Sequence, residues 1–200
     1  MQVLIPGTGR RYLDGDSLDH GAPLAFSVDG VFQPDECRAM IARIDAAQPT
    51  LAPITLSRGF AEMPDVRNNE RVMFDDAPLA AELFARLRDA LPARLAGRRL
   101  VGLNERLRCY RYSPGQRFVP HTDGAYRRNA HERSEITLLL YLNHDFVGGT
   151  TALYDFVDTP LHYMPRAGSV LLFQHHQMHE GCVVREGVKY VVRSDVMYAD

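Results

Sequence analysis

The stretch RYSPGQRFVPHTDGAY, residues 111–126, places His121 and Asp123 one residue apart between Pro120 and Gly124. In an extended segment residues i and i+2 project to the same face, so an imidazole and a carboxylate there aim at one point. That is half of a site for iron, zinc or manganese. The same pattern fits a turn whose polar residues face water, and a third donor from a distant strand decides between the two readings.

The histidines that could supply it are His20, His131, His144, His162, His175, His176 and His179. His131, in YRRNAHERS, and His144, in YLNHDF, fall in polar connections, and His162 alternates with Leu161 and Tyr163. In AGSVLLFQHHQMHEGCVV a buried strand SVLLF leads through a brief polar loop to His179, the first residue of the next strand. A ligand in that position is held by a sheet and not by a loop, which favours His179 and leaves His175 and His176 dispensable. A rival pair, His175 and His179 at i and i+4, could bind zinc from one helix face, but the connection is too short for a stable helix. Two histidines and one carboxylate on adjacent strands leave one side of a metal open, the facial arrangement of non-haem Fe(II) oxygenases.

The elements that must position these residues change character near residue 100. Before it, Pro34 and Asp35 open a run with Cys37, Met40, Ile41 and Ile44 at helical spacing. Asp76 and Pro78 announce a second helix, lined by Leu79, Leu83, Leu87 and Leu91. LAFSVDGVF, residues 24–32, reads as a strand. From Arg99 onward, short apolar or alternating runs separated by turns fall around 101–112, 117–123, 135–142, 151–156, 168–173, 181–185 and 188–198. Strands with no helices between them cannot form a parallel wound sheet. The expected fold is mainly β with flanking helices (α+β), a jelly-roll barrel with the two N-terminal helices packed outside and a ligand-holding mouth. Its expected organisation is a single domain over 1–200, with 1–100 as a support region and 101–200 as the barrel core.

The whole chain is compatible with that reading. Its 200 residues, 46% of them hydrophobic, suffice for one cored domain. A net charge of -2 gives no basic field for a phosphate backbone, so no nucleic-acid partner is expected. The first residues lack a signal-peptide pattern and no run approaches a membrane span, so a cytoplasmic location with no membrane partner is expected. Cys37, Cys109 and Cys182 are unpaired by spacing and suit reduced core thiols. Lys189 is the chain's only lysine.

From about residue 105 onward the sequence resembles the 2-oxoglutarate- and Fe(II)-dependent oxygenases of the prolyl 4-hydroxylase type. The matching elements are Y-x-x-G-x-x-x-x-P-H-x-D in YSPGQRFVPHTD, T-x-x-x-YLN with a Gly-Gly-Thr turn in TLLLYLNHDFVGGT, then G-x-V-L-x-F, H-E and G-x-K-Y. The resemblance implies a double-stranded β-helix of cupin-like build in which His121, Asp123 and His179 carry Fe(2+). It implies that Lys189, ten positions after His179, pairs with the far carboxylate of 2-oxoglutarate, with Arg193 on the same strand face as a rival or assistant. Tyr112 and Tyr141 match family tyrosines whose hydroxyls reach 2-oxoglutarate. The implied reaction consumes O2, releases succinate and CO2 and hydroxylates an unactivated C–H bond, with ascorbate as a possible auxiliary reductant.

For the substrate, relatives that act on peptides place a contacting strand and loop where Arg67, Asn68 and Asn69 end the stretch APITLSRGFAEMPDVRNNER, residues 52–71. The insertion AYRRNAHERSE and the loop QHHQM are two further segments around the mouth. The expected partner is a peptide or small-molecule substrate, peptidyl proline first and a free amino acid or small metabolite second. The alternative from a different class is a metal-binding cupin without oxygenase turnover. The sequence fixes no oligomeric state.

Overall fold

The structure is a computed structural model and describes residues 1–7, 18–56, 59–155 and 159–200. Helix α1, Pro34–Ala46, begins with a capping box in which Gln33 and Glu36 bond each other's exposed backbone amides, and proline occupies its first turn. Helix α2, Ala77–Leu87, is started by Asp76, whose carboxylate accepts the Leu79 amide at 3.1 Å. Both starts coincide with the residues that announce them in the sequence.

The strands form two main antiparallel sheets. The large one runs Gln2–Ile5, Ala25–Val28, Val170–Gln174, Glu132–Tyr141, Lys189–Ala199, Arg106–Tyr112, Glu70–Asp75 and Thr50–Leu51, with Arg94–Leu95 and Arg98–Leu103 joined to the far end of Lys189–Ala199. The smaller one runs Phe118–His121, His179–Gly181, Thr151–Leu153 and Leu161–Tyr163. This is the expected double-stranded β-helix. Strands from both halves of the chain share the large sheet, so the sheet has no seam near residue 100.

Alternation along the central strands decides what each face does. Leu138, Leu140, Leu172 and Val192 point to one face and pack with Cys37, Met40 and Ile44 of α1 and Ala80, Leu83 and Leu87 of α2. Their neighbours Tyr141, Leu171, Phe173 and Val191 point to the other face and pack with Leu153 and Tyr163 of the small sheet. The helices thus seal one side of the large sheet while the space between the sheets holds the polar residues discussed below.

Three sequence readings are refined. The run around 101–112 breaks at Asn104, whose amide group bonds Asp195 at 3.1 Å, giving Arg98–Leu103 and Arg106–Tyr112 instead of one strand. The run around 181–185 is split between His179–Gly181 and Val184–Glu186. The strand expected at 151–156 ends at Leu153, and Phe156 lies outside the described residues. Among the described residues no helix is long and apolar enough to cross a membrane.

One close approach ties α1 to the sheet. Gly168 has φ 75°, its carbonyl accepts the amides of Val31 and Phe32 at 2.9 and 3.1 Å, and a Cβ added to it would stand 2.1 Å from the Phe32 carbonyl oxygen. Gly30 has a similar φ of 68° but nothing within 4 Å of an added Cβ. Gly30→Ala should therefore cost only the left-handed backbone penalty, about 1–2 kcal/mol, whereas Gly168→Ala should cost clearly more because backbone must move as well. Urea unfolding midpoints of the two variants check this, and equal midpoints would contradict it.

Candidate metal and 2-oxoglutarate site

The small sheet builds the first part of the site. His121 and His179 are directly paired residues of adjacent antiparallel strands, and their rings lie with centroids 4.1 Å apart. Asp123 follows two residues after His121, with Nε2 of His179 3.7 Å from its Oδ2 and Nε2 of His121 4.0 Å from its Oδ1. One donor atom from each of the three lies within 4.8 Å of the other two, a set able to hold a metal ion.

The protonation states suit that use. Nδ1 of His121 lies 2.8 Å from the Val119 carbonyl, and Nδ1 of His179 lies 3.0 Å from that of Gln177. A carbonyl only accepts, so each Nδ1 carries the hydrogen and each Nε2 turns a free lone pair into the site. Burial, helped by the neighbouring imidazole, pushes His121 down to about 3, and burial also lowers His179. Both are neutral at pH 7. Burial alone would raise Asp123, but Arg193 and the two histidines outweigh it and hold the carboxyl well below its usual range.

The large sheet supplies what surrounds the carboxylate. Arg193 Nη1 contacts Asp123 Oδ1 at 2.8 Å, and its Nη2 lies 3.3 Å from Asp195 Oδ1. Thr137 donates to Asp123 Oδ2 at 2.6 Å, so its oxygen is left to accept from His175 Nδ1 at 2.9 Å. The far nitrogen of His175 then accepts from Ser134 Oγ at 2.7 Å, and Ser134 in turn accepts the Tyr126 amide at 2.8 Å. The His175 carbonyl also accepts the Asp123 amide at 2.8 Å. His175 is therefore no dispensable loop residue. It is 2% exposed and holds Asp123 from both backbone and side chain, whereas its neighbour His176 is exposed.

Lys189 occupies the other part of the same pocket. It pairs across strands with Tyr112, and Nζ lies 5.3 and 5.4 Å from the ring centres of Tyr112 and Tyr141. Nζ donates to the Gly149 carbonyl at 2.7 Å, so the Gly-Gly-Thr turn contributes to the pocket as well as reversing the chain. Tyr141 is held by Thr151 at 2.7 Å. Burial pushes Lys189 down to about 8. A buried ammonium with no carboxylate partner among the described residues, walled by two tyrosines and a threonine, is the complement of a small dianion. The donor set and this cation together fit iron and 2-oxoglutarate.

The sequence-predicted substrate residues separate. Arg67 is buried in the pocket wall, its guanidinium stacked over Tyr110 and Phe118 at 4.4 and 4.5 Å. Asn69 is fully buried and accepts Arg67 Nε at 2.7 Å, while Asn68 accepts the Arg117 amide at 2.7 Å and donates to the Gly115 carbonyl at 3.3 Å. Ser57 and Arg58 of that stretch lie outside the described residues. Among His20, His131, His144, His162 and His176, none joins the triad. Sequence reading missed Tyr110, Thr137 and Thr151. Tyr110 was within reach, because it stands two residues before Tyr112 on one strand and so shares its face.

Residues 107–194 match the family model described as the 2OG-Fe(II) oxygenase superfamily, the stretch that holds the triad, Lys189 and Arg193. Similar solved structures include a prolyl hydroxylase from Trichoplax adhaerens in complex with a peptide fragment of the hypoxia inducible factor oxygen degradation domain, at 18% identity and TM-score 0.66 over 88% of this chain and 84% of that one. The Paramecium Bursaria Chlorella virus-1 viral collagen prolyl hydroxylase in its 2OG complex is 17% identical, with TM-score 0.60 over 88% and 96%. A Pseudomonas putida prolyl-4-hydroxylase is 16% identical, with TM-score 0.63 over 86% and 91%. Among curated proteins no match is found. The matched stretch is thus similar to the 2-oxoglutarate- and Fe(II)-dependent oxygenases, and the fold is the one seen in the solved structures named as prolyl hydroxylases.

His121→Ala, Asp123→Ala and His179→Ala should each abolish stoichiometric Fe(II) binding, read by metal analysis after anaerobic gel filtration. His175→Ala should weaken metal affinity by about 10- to 100-fold through loss of outer-shell support, and Thr137→Val should act in the same direction. His176→Ala should bind iron normally. Unchanged affinity in both His175→Ala and Thr137→Val would show that the relay does not support the site.

Proposed function

We propose that the protein hydroxylates an unactivated C–H bond of an amino-acid unit, with peptidyl proline the first substrate class and a free amino acid or small metabolite the second. Bound Fe(2+) and 2-oxoglutarate supply insertion of one oxygen atom from O2 into the C–H bond, the other oxygen leaving in succinate as CO2 is released. His121, Asp123 and His179 hold the metal. Lys189 takes the far carboxylate of 2-oxoglutarate, and the Tyr112 and Tyr141 rings set the width of its pocket. Arg193 keeps the Asp123 carboxylate ionised and oriented.

The observation that carries this reading is the placement of the triad and the buried ammonium of Lys189 on the walls of one pocket. A metal-binding cupin without oxygenase turnover has no use for an uncompensated cation there. Arg193 is already committed to Asp123 and Asp195, which supports Lys189 and not Arg193 as the 2-oxoglutarate anchor. The solved relatives named as prolyl hydroxylases support a proline-type substrate.

Anaerobic addition of 2-oxoglutarate to the Fe(II) protein should produce a weak visible charge-transfer band, and air should then yield succinate. Lys189→Ala should weaken 2-oxoglutarate binding by about ten- to a hundredfold, the equivalent of a charge-assisted hydrogen bond of about 1.5–3 kcal/mol, with iron retained. The pH dependence has a definite sign. Burial depresses Lys189 to about 8, so below pH 8 the cation is already present, and above it binding the dianion requires proton uptake. Affinity should therefore fall as pH rises beyond about 8. Titrations between pH 7 and 9.5 that show no such fall, or a dominant effect of Arg193→Ala on 2-oxoglutarate with intact iron, would reassign the anchor.

A further inference from the structure

Outside the 2-oxoglutarate pocket, the wall of the site opens into a cleft of about 550 Å³ in front of His121 and Asp123. Four arginines face it: Arg67, Arg71, Arg108 and Arg193. Arg108 and Arg193 are compensated, because Arg108 Nη1 bonds Asp195 at 3.0 Å and Arg193 is shared between Asp195 and Asp123. Among the described residues no carboxylate lies within ion-pair distance of Arg67 or Arg71. The Tyr110 hydroxyl lies where Arg67, Arg71 and Arg193 converge; burial alone would raise it, but the guanidiniums hold it below its usual range. Burial lowers Arg71, Tyr110 works in the opposite direction, and the crowding guanidiniums of Arg67 and Arg108 lower it further.

Arg67 is also pre-organised. Its guanidinium is clamped between the Tyr110 and Phe118 rings, and its Nε is fixed by Asn69 at 2.7 Å. The residue is 5% exposed, and its Nη2 is buried with no hydrogen-bond partner. A buried, immobilised guanidinium with an unused donor is costly on its own and is satisfied by a planar anion. 2-Oxoglutarate does not account for the pair, since its far carboxylate goes to Lys189 and Arg71 lies only on the outer cleft.

We propose that Arg67 and Arg71 form a carboxylate-recognition site for the substrate, so that the unit being hydroxylated carries a negatively charged carboxylate close to the oxidised carbon. This rests on the oxygenase reading and narrows its substrate class. Neutral internal peptide segments are poor substrates, and the carboxylate comes from a free amino acid, a peptide C-terminus or an acidic side chain beside the target residue. Arg67 fixes the plane of the carboxylate through Nη2, and Arg71 supplies the second charge from the neighbouring strand Glu70–Asp75.

The test uses the full chain loaded with Mn(II) and 2-oxoglutarate, a redox-inert complex. It is titrated calorimetrically with three matched pairs: the free amino acids and their carboxamides, proline-terminated peptides and their C-terminal amides, and acidic proline peptides and their Asn/Gln counterparts. At least one acid should bind about tenfold or more tightly than its neutral partner, as a charge-assisted contact requires. The pair that shows the preference identifies the source. Arg71→Gln and Arg67→Gln should each shrink that acid-to-amide ratio, and Arg71→Lys should restore part of it. The same acids are then tested with the Fe(II) protein for a mass gain of one oxygen. Acids and amides binding alike, or no acid binding at all, would overturn the assignment. The visible Fe(II)·2-oxoglutarate band, recorded without any substrate, separates failure of this proposal from failure of the oxygenase reading.

Discussion

The carboxylate of Asp123 is the constraint on which the remaining structure turns. A buried, ionised carboxyl group carries a desolvation cost of several kcal/mol unless charges and hydrogen bonds surround it. Here Arg193 supplies the charge and Thr137 a donated hydrogen, while the His175 carbonyl accepts the Asp123 backbone amide and fixes where the side chain starts. Each partner comes from the large sheet or the turn leading out of it, while Asp123 itself follows a strand of the small sheet. The electrostatic demand of one side chain therefore fixes how the two sheets face each other. Asp195 belongs to the same balance: it pairs with both Arg193 and Arg108, so two guanidiniums face two carboxylates.

The large sheet meets this demand because strand alternation separates two kinds of work. On Lys189–Ala199, Lys189, Val191 and Arg193 face the interior between the sheets, while Val192 packs toward the helices. The apolar residues on the helix side supply the burial that stabilises the strand. The polar ones on the interior side are then free to be chosen for chemistry. A slip of one residue in register would exchange the two sets and place two cations against α1 and α2.

Much of this was legible in the sequence where local pattern and chemistry coincide. His121 and Asp123 at i and i+2, and His179 at a strand start, were visible because each depends on its own few residues. The alternation that sets Lys189 and Arg193 on one face was equally local. The two helix starts were legible because Pro34 stands in the first turn of α1 and Asp76 caps α2, whereas the Gln33–Glu36 capping pair emerged only in the structure. The relay through His175 was not, since it joins Ser134 and Thr137 of Glu132–Tyr141 to a residue just beyond Val170–Gln174, and no single segment shows that the loop folds inward. The break at Asn104 was hidden for the same reason: its cause is Asp195, about ninety residues away. That Asn68 and Asn69 bond their own chain was not legible, because an amide in a loop looks the same whether it faces a ligand or ties the chain together.

The lone lysine has a consequence for how the molecule can be taken apart. Lys189 is 2% exposed and opens a strand hydrogen-bonded to Arg106–Tyr112 on one side and Glu132–Tyr141 on the other. A protease that cuts only after lysine finds a single bond in the chain, and that bond lies where a central strand of the large sheet begins, just after the turn at Gly187. Exposing it requires Lys189 to leave its pairing with Tyr112 and its bond to the Gly149 carbonyl. Cleavage then counts openings of this end of the strand and is blind to motions elsewhere in the chain.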